Sequence, residues 1–153
     1  MAKKIKLGDI FEIKTPKGLA YIQYTCSHDA YGQLIRVLPG IFDVRPVSFD
    51  QLSQAKELYF VFFPVKAAVF RNIITSVANE PIPYFAQQFP PMRTRGGIDS
   101  DGKVLNWWIC DAKGRIIVDK LNEEQRHYSL MEIWNDTMLI ECICSGWMPE
   151  KEV

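Results

Sequence analysis

Asp9-Ile10-Phe11-Glu12-Ile13-Lys14, then Thr15-Pro16-Lys17-Gly18, then Leu19-Ala20-Tyr21-Ile22-Gln23-Tyr24-Thr25 read in succession as a strand, a tight turn and a second strand. In the first segment Phe11 and Ile13 alternate with Glu12 and Lys14, the period of a half-buried strand. Pro and Gly stand where a four-residue turn accepts them, and the second segment is rich in aromatic and branched side chains. Working outward, Cys26 to Ala30 is a polar turn and Tyr31 to Leu38 a third strand, ended by Pro39-Gly40. Three successive antiparallel strands predict an α+β fold with a strongly bent, mostly antiparallel sheet, an SH3-like partial barrel, and a few short helices.

Further along, Ser48 is placed to cap a short helix over 49–56. Leu58-Tyr59-Phe60-Val61-Phe62-Phe63 is apolar on both faces and reads as a central strand covered on both sides, terminated by Pro64. Val65, Ala68, Val69, Ile73 and Val77 recur at helical spacing, predicting a short helix or turn over 65–77. The stretch at about 79–103 holds Pro81, Pro83, Pro90, Pro91, Gly96 and Gly97, and reads as an irregular loop. A second hairpin is expected from Val104 to Val118 around Asp111-Ala112-Lys113-Gly114. Asn122 and Gln125 stand at capping-box spacing. Thr137 to Cys144 reads as a last, buried strand, clamped by Trp134 and Trp147.

Length predicts one domain over 1–153, large enough to fold without a disulfide or metal staple. The chain is 48 % apolar, 24 % charged and 12 % aromatic, a soluble globular composition with an aromatic bias that suits a β-rich core. No apolar run approaches the length of a membrane span. Gly8-Asp9 follows the basic start Met1 to Lys6 where a leader would turn apolar, so no membrane association and a cytoplasmic location are expected. Cys26, Cys110, Cys142 and Cys144 are then expected as reduced thiols, and the one-residue gap between the last two is too short for a zinc pair. Net charge is zero but unevenly placed: residues 1–95 carry twelve Lys and Arg against seven Asp and Glu, and residues 96–153 carry six against eleven. An acidic C-terminal half is a surface for a basic partner.

Catalytic patterns are sparse. Cys26 and His28 are two apart at a strand end, where a turn is the better account than a nucleophile and its base. Asp99, Asp101 and Gly102 lack the closing Glu of a calcium loop. No phosphate-cradling glycine loop or nucleophile elbow occurs. Trp107, Trp108, Trp134 and Trp147 are flanked by Asp111, Asp136 and Glu141, not by the basic residues a nucleic-acid surface needs, so nucleic acid is not the favoured partner. No catalytic residue, cofactor or metal is expected. A peptide- or nucleic-acid-binding regulatory module of the SH3-like kind is the alternative, using Tyr21, Tyr24, Tyr31, Trp107 and Arg93 or Arg95.

Four blocks together resemble the immunity protein 26 family of bacterial polymorphic toxin systems. They are Lys4-Ile5-Lys6-Leu7-Gly8-Asp9-Ile10-Phe11; Tyr31-Gly32-Gln33-Leu34-Ile35-Arg36-Val37-Leu38-Pro39-Gly40; Phe62-Phe63-Pro64-Val65-Lys66-Ala67-Ala68; and Trp134-Asn135-Asp136 with Trp147. The resemblance implies a cytoplasmic, non-catalytic protein that binds and neutralises a cognate toxin. Many toxins are nucleases with basic clefts, and an acidic surface can fill one. Glu123, Glu124, Glu132, Asp136 and Glu141 are the toxin-binding candidates.

Overall fold

The opening hairpin forms as its alternation predicts. In a computed structural model, which describes residues 4–152, β1 (Asp9–Thr15) pairs antiparallel with β2 (Gly18–His28), and β2 with β3 (Gly32–Val37). Met1 to Lys3 of the basic start, and Val153, lie outside the described residues. Gly8 enters the sheet at φ +91°, and a Cβ there would stand 2.6 Å from the Glu80 carbonyl oxygen, so only glycine fits this approach. Register shifts between Ile10 and Phe11 and between Tyr24 and Cys26 mark bulges, which bend and twist the strands that carry them.

The helix expected over 49–56 is shorter, α1 (Asp50–Gln54), and its N-cap is Phe49, not Ser48, whose hydroxyl accepts the Asp50 N–H at 3.2 Å from one residue further out. The apolar run at 58–63 supplies β4 (Tyr59–Phe62), buried on both faces, although it pairs within its sheet only with β3. Helix forms over only the first part of 65–77, as α2 (Val65–Phe70). Asn72 then takes φ 59°, and β5 (Ile74–Asn79) returns to pair with β1. The β-branched Ile74, Thr75 and Val77 favour the extended state that β1 rewards. The order β4-β3-β2-β1-β5 leaves β4 and β5 unpaired with each other, so the sheet is open.

Inside the stretch read as an irregular loop, Met92–Arg95 is a strand, β6. It lies between β7 (Trp107–Asp111) and β9 (Ser129–Leu130) in a second sheet of order β8-β7-β6-β9, where β8 is Gly114–Val118. β6 pairs antiparallel with β7 and parallel with β9. The expected capping box forms between Asn122 and Gln125, with reciprocal bonds of 3.0 and 2.8 Å, over a single 3-10 turn.

The terminal segment corrects another expectation. Residues 137–144 are not a strand but lie within helix α3 (Asp136–Ser145). The Asn135 side chain accepts the Met138 N–H at 2.8 Å, and Gly146 closes the helix at φ 69°. Leu139, Cys142 and Ile143 form its buried stripe, which packs on one face of the first sheet with Phe11, Ile22, Ile35 and Val61. Cys142 and Cys144 consequently leave the helix on different sides; Cys142 is buried, which raises its thiol pKa. The aromatic clamp is present: Trp134 and Trp147 meet edge-on at 5.2 Å, and Tyr59 touches both. The whole is an α+β fold with two mainly antiparallel sheets.

The other face of the first sheet is partly polar. Arg36 is 0 % exposed on β3. Its Nε donates to Gln23 Oε1 at 2.7 Å, and its Nη atoms donate to the Ser53 and Ala55 carbonyls and to Glu57 at 3.3 Å. Glu12 is also buried, not on a solvated face as the alternation predicted. It accepts both Arg45 Nε (2.7 Å) and Nη2 (3.0 Å), and the Tyr21 hydroxyl at 2.8 Å. Arg45 lowers the Glu12 pKa, burial works against it, and the Tyr21 hydroxyl adds to the lowering. A carboxylate whose pKa is depressed by folding contributes stability above its unfolded value of about 4.3, and that stability is lost as pH falls through the folded value. The urea midpoint should therefore drop progressively as pH falls below the unfolded value of about 4.3. Glu12→Gln should flatten that part of the profile; an unchanged profile would show that Glu12 does not drive it.

Candidate binding surface

After β9 the chain runs along the outer edge of β4 and stitches the two sheets together. Phe60 N–H donates to Ser129 Oγ at 2.8 Å, Phe62 N–H to the Glu132 carbonyl at 3.1 Å, and Trp134 N–H to the Phe62 carbonyl at 2.9 Å. Side chains along an extended segment alternate. Burying Trp134 in the core therefore turns Ile133 outward, where it is 58 % exposed. Asn135 then starts α3, whose first turn presents Met138 at 41 % exposure. Glu132, Ile133, Trp134, Asn135 and Met138 line a shallow hollow, and Asp136 follows in the same helical turn. Two exposed apolar side chains are thus edged by acidic and amide groups, the pattern of an interface centre and its polar rim.

The five acidic candidates do not converge on one face. The Glu132 carboxylate accepts Arg95 Nη1 and, at 3.0 Å, the Trp134 indole N–H, while Arg95 also holds Glu152 at 3.1 Å. Glu132 thus supports the hollow from within a bonded set. Asp136 and Glu141 are five residues apart on α3, well separated around its axis. Glu123 and Glu124 are exposed on the separate segment before the 3-10 turn at Gln125–His127. The acidic bias of the C-terminal half is also locally reversed: Lys103, Lys120 and Arg126, with Asp119, line a half-open cleft of about 430 Å³ over Trp107 and Leu121.

No family model, curated protein or solved structure matches this chain.

Several other sequence candidates have structural roles. His28 Nδ1 accepts the N–H groups of Ala30 (3.0 Å) and Tyr31 (3.1 Å), so the imidazole organises its turn. Burial raises the Cys26 thiol pKa, the opposite of what a nucleophile needs. Asp99 Oδ1 accepts the N–H groups of Asp101 and Lys103, both at 2.9 Å, which makes the turn expected there. No helix among the described residues is long and apolar enough to cross a membrane.

Of the residues assigned to a regulatory module, Tyr21, Tyr24, Trp107 and Arg93 are buried. Arg93, 0 % exposed, donates to the carbonyls of Tyr128 (3.2 Å), Arg126 (3.2 Å), Pro149 (2.6 Å) and Glu152 (2.5 Å) and stacks on Trp107 at 4.4 Å. Burial pulls its pKa down to about 10, with the Glu152 charge opposing the shift. Its valences are spent on holding the C-terminal segment in place.

Ile133 and Met138 were missed at the sequence level. Met138 is exposed because 137–144, expected as a strand, is helical, whereas Ile133 is exposed because pairing along β4 turns Trp134 inward beside it. For Met138 the sequence does carry a signal, the Asn135 to Gly146 pair, a helix N-cap and a C-terminal glycine.

Proposed function

We propose that this chain is a cytoplasmic immunity protein that binds and neutralises a cognate bacterial toxin, with no catalysis of its own. The observation that carries the reading is the hollow at 132–138, where exposed Ile133 and Met138 are edged by Glu132 and Asn135. It overlaps, from Trp134 onward, one of the sequence blocks that resemble the immunity family. A toxin would seat an apolar residue there and present basic groups to the rim. Glu123, Glu124 and Glu141 would act as outlying charges that steer association, while Glu132 acts through the Arg95 and Trp134 bonds that shape the hollow.

The test is co-expression with the toxin encoded beside this gene, reading growth rescue and direct binding together. Ile133→Arg and Met138→Asp should each weaken binding by about 30-fold or more. Charge reversal at Asp136, Glu123, Glu124 and Glu141 should slow association and lessen its salt dependence. Binding that is indifferent to the first two substitutions would remove the hollow from the interface. Failure of both binding and rescue by the parent protein would remove the immunity reading itself.

A further inference from the structure

The second sheet ends on a bare apolar edge. Among the described residues β8 pairs only with β7, and its Ile116 and Ile117 are 56 % and 51 % exposed. The other margins differ. The outer side of β4 is occupied by the 129–134 segment, and β5 presents Thr75 and Ser76. Soluble proteins usually blunt such an edge with lysine, proline or a covering loop; β8 carries only Arg115.

The register of the hairpin determines which backbone groups are free. Pairing runs without a shift from Trp107 opposite Val118 to Asp111 opposite Gly114, around a two-residue loop. The pair that closes such a loop exchanges backbone hydrogen bonds, and bonded pairs then alternate. Gly114, Ile116 and Val118 therefore direct their N–H and C=O groups to β7. Arg115 and Ile117 direct theirs away from the sheet, and Asp119 follows directly after the strand, where the chain bends.

We propose that β8 pairs with β8 of a second copy in an antiparallel, two-fold dimer centred on Ile117, joining two four-stranded sheets into one. Only this symmetric register places Ile117 opposite itself as a hydrogen-bonded pair and Arg115 opposite Asp119 of the other copy, twice by symmetry. Ile116 and Val118 then meet across the two-fold on the opposite face. The charges complement and the free backbone groups of Ile117 are consumed. Neither Arg115 nor Asp119 forms an ion pair within the chain among the described residues. A single-strand contact is below the usual size of a stable interface, so the dimer is weak, micromolar or looser. It does not depend on the toxin-binding reading, which uses a different surface.

The experiment is sedimentation velocity on the full chain from micromolar to near-millimolar concentration. The parent should shift reversibly from monomer to dimer. Arg115→Glu and Asp119→Arg, each exposed, should separately weaken the dimer about tenfold by setting like charges opposite each other. The double variant R115E/D119R should restore it. A monomer throughout the range overturns the proposal. So does a dimer whose affinity ignores both single changes, or one that the double change fails to restore. Circular dichroism of each variant excludes unfolding as the cause.

Discussion

Arg36→Met should lower the unfolding free energy by about 3–5 kcal/mol, read as a fall in the urea midpoint at unchanged slope. Methionine fills much of the same volume, so the loss is one of charge and hydrogen bonding and not of packing. It strands Glu57, which is buried and whose other ion-pair partner is the exposed Lys56 at 2.8 Å. It also leaves Gln23 Oε1 and the carbonyls of Ser53 and Ala55 without their donor. Breaking a buried pair from one side is costlier than replacing both members by apolar groups. Arg36→Met with Glu57→Leu should therefore recover part of the loss. A single-variant loss below about 1 kcal/mol would mean that water reaches these groups and that the network contributes little.

Arg93→Met should be the next largest, about 3 kcal/mol. Its guanidinium is the common donor to two chain segments, Arg126 and Tyr128 on one side and Pro149 and Glu152 on the other. Removing it leaves carbonyls unsatisfied and frees the end of the chain from the second sheet. Two readouts separate this from a general loss of stability. Amide exchange should accelerate most at 149–152, and limited proteolysis should trim the C-terminus before cutting elsewhere. Arg93→Lys should rescue little, because one ammonium cannot reach carbonyls arranged around a planar fork. Uniform acceleration across the chain would assign Arg93 to the core at large.

Both arginines show where reading the residues in order succeeds and where it stops. Local patterns marked the two hairpins, since alternation, turn residues and loop length are all nearest-neighbour properties. The Asn122 and Gln125 box was legible for the same reason. Helix α3 was legible in principle from its two caps, yet its branched residues Thr137, Ile140 and Ile143 pointed to a strand. The helix wins because Asn135 and Gly146 satisfy its ends and because Leu139, Cys142 and Ile143 share one buried stripe. Met92–Arg95 carries almost no strand signal between its prolines and glycines. It is a strand because β7 and β9 flank it.

The sequence by itself determined the α+β class and the opening antiparallel hairpin, because these follow from spacing within about ten residues, but the turn expected at 26–30 is strand as far as His28 because β3 pairs with it there. Only the tertiary structure decided the fate of the charges and the surface. Glu12 reads as solvent-facing but lies under Arg45, and Arg93 reads as a candidate binding residue but is buried against Trp107. Ile133 is apolar but exposed, because pairing along β4 turns Trp134 inward beside it. Burial depends on which distant segment covers a side chain, a long-range property that sequence spacing does not carry.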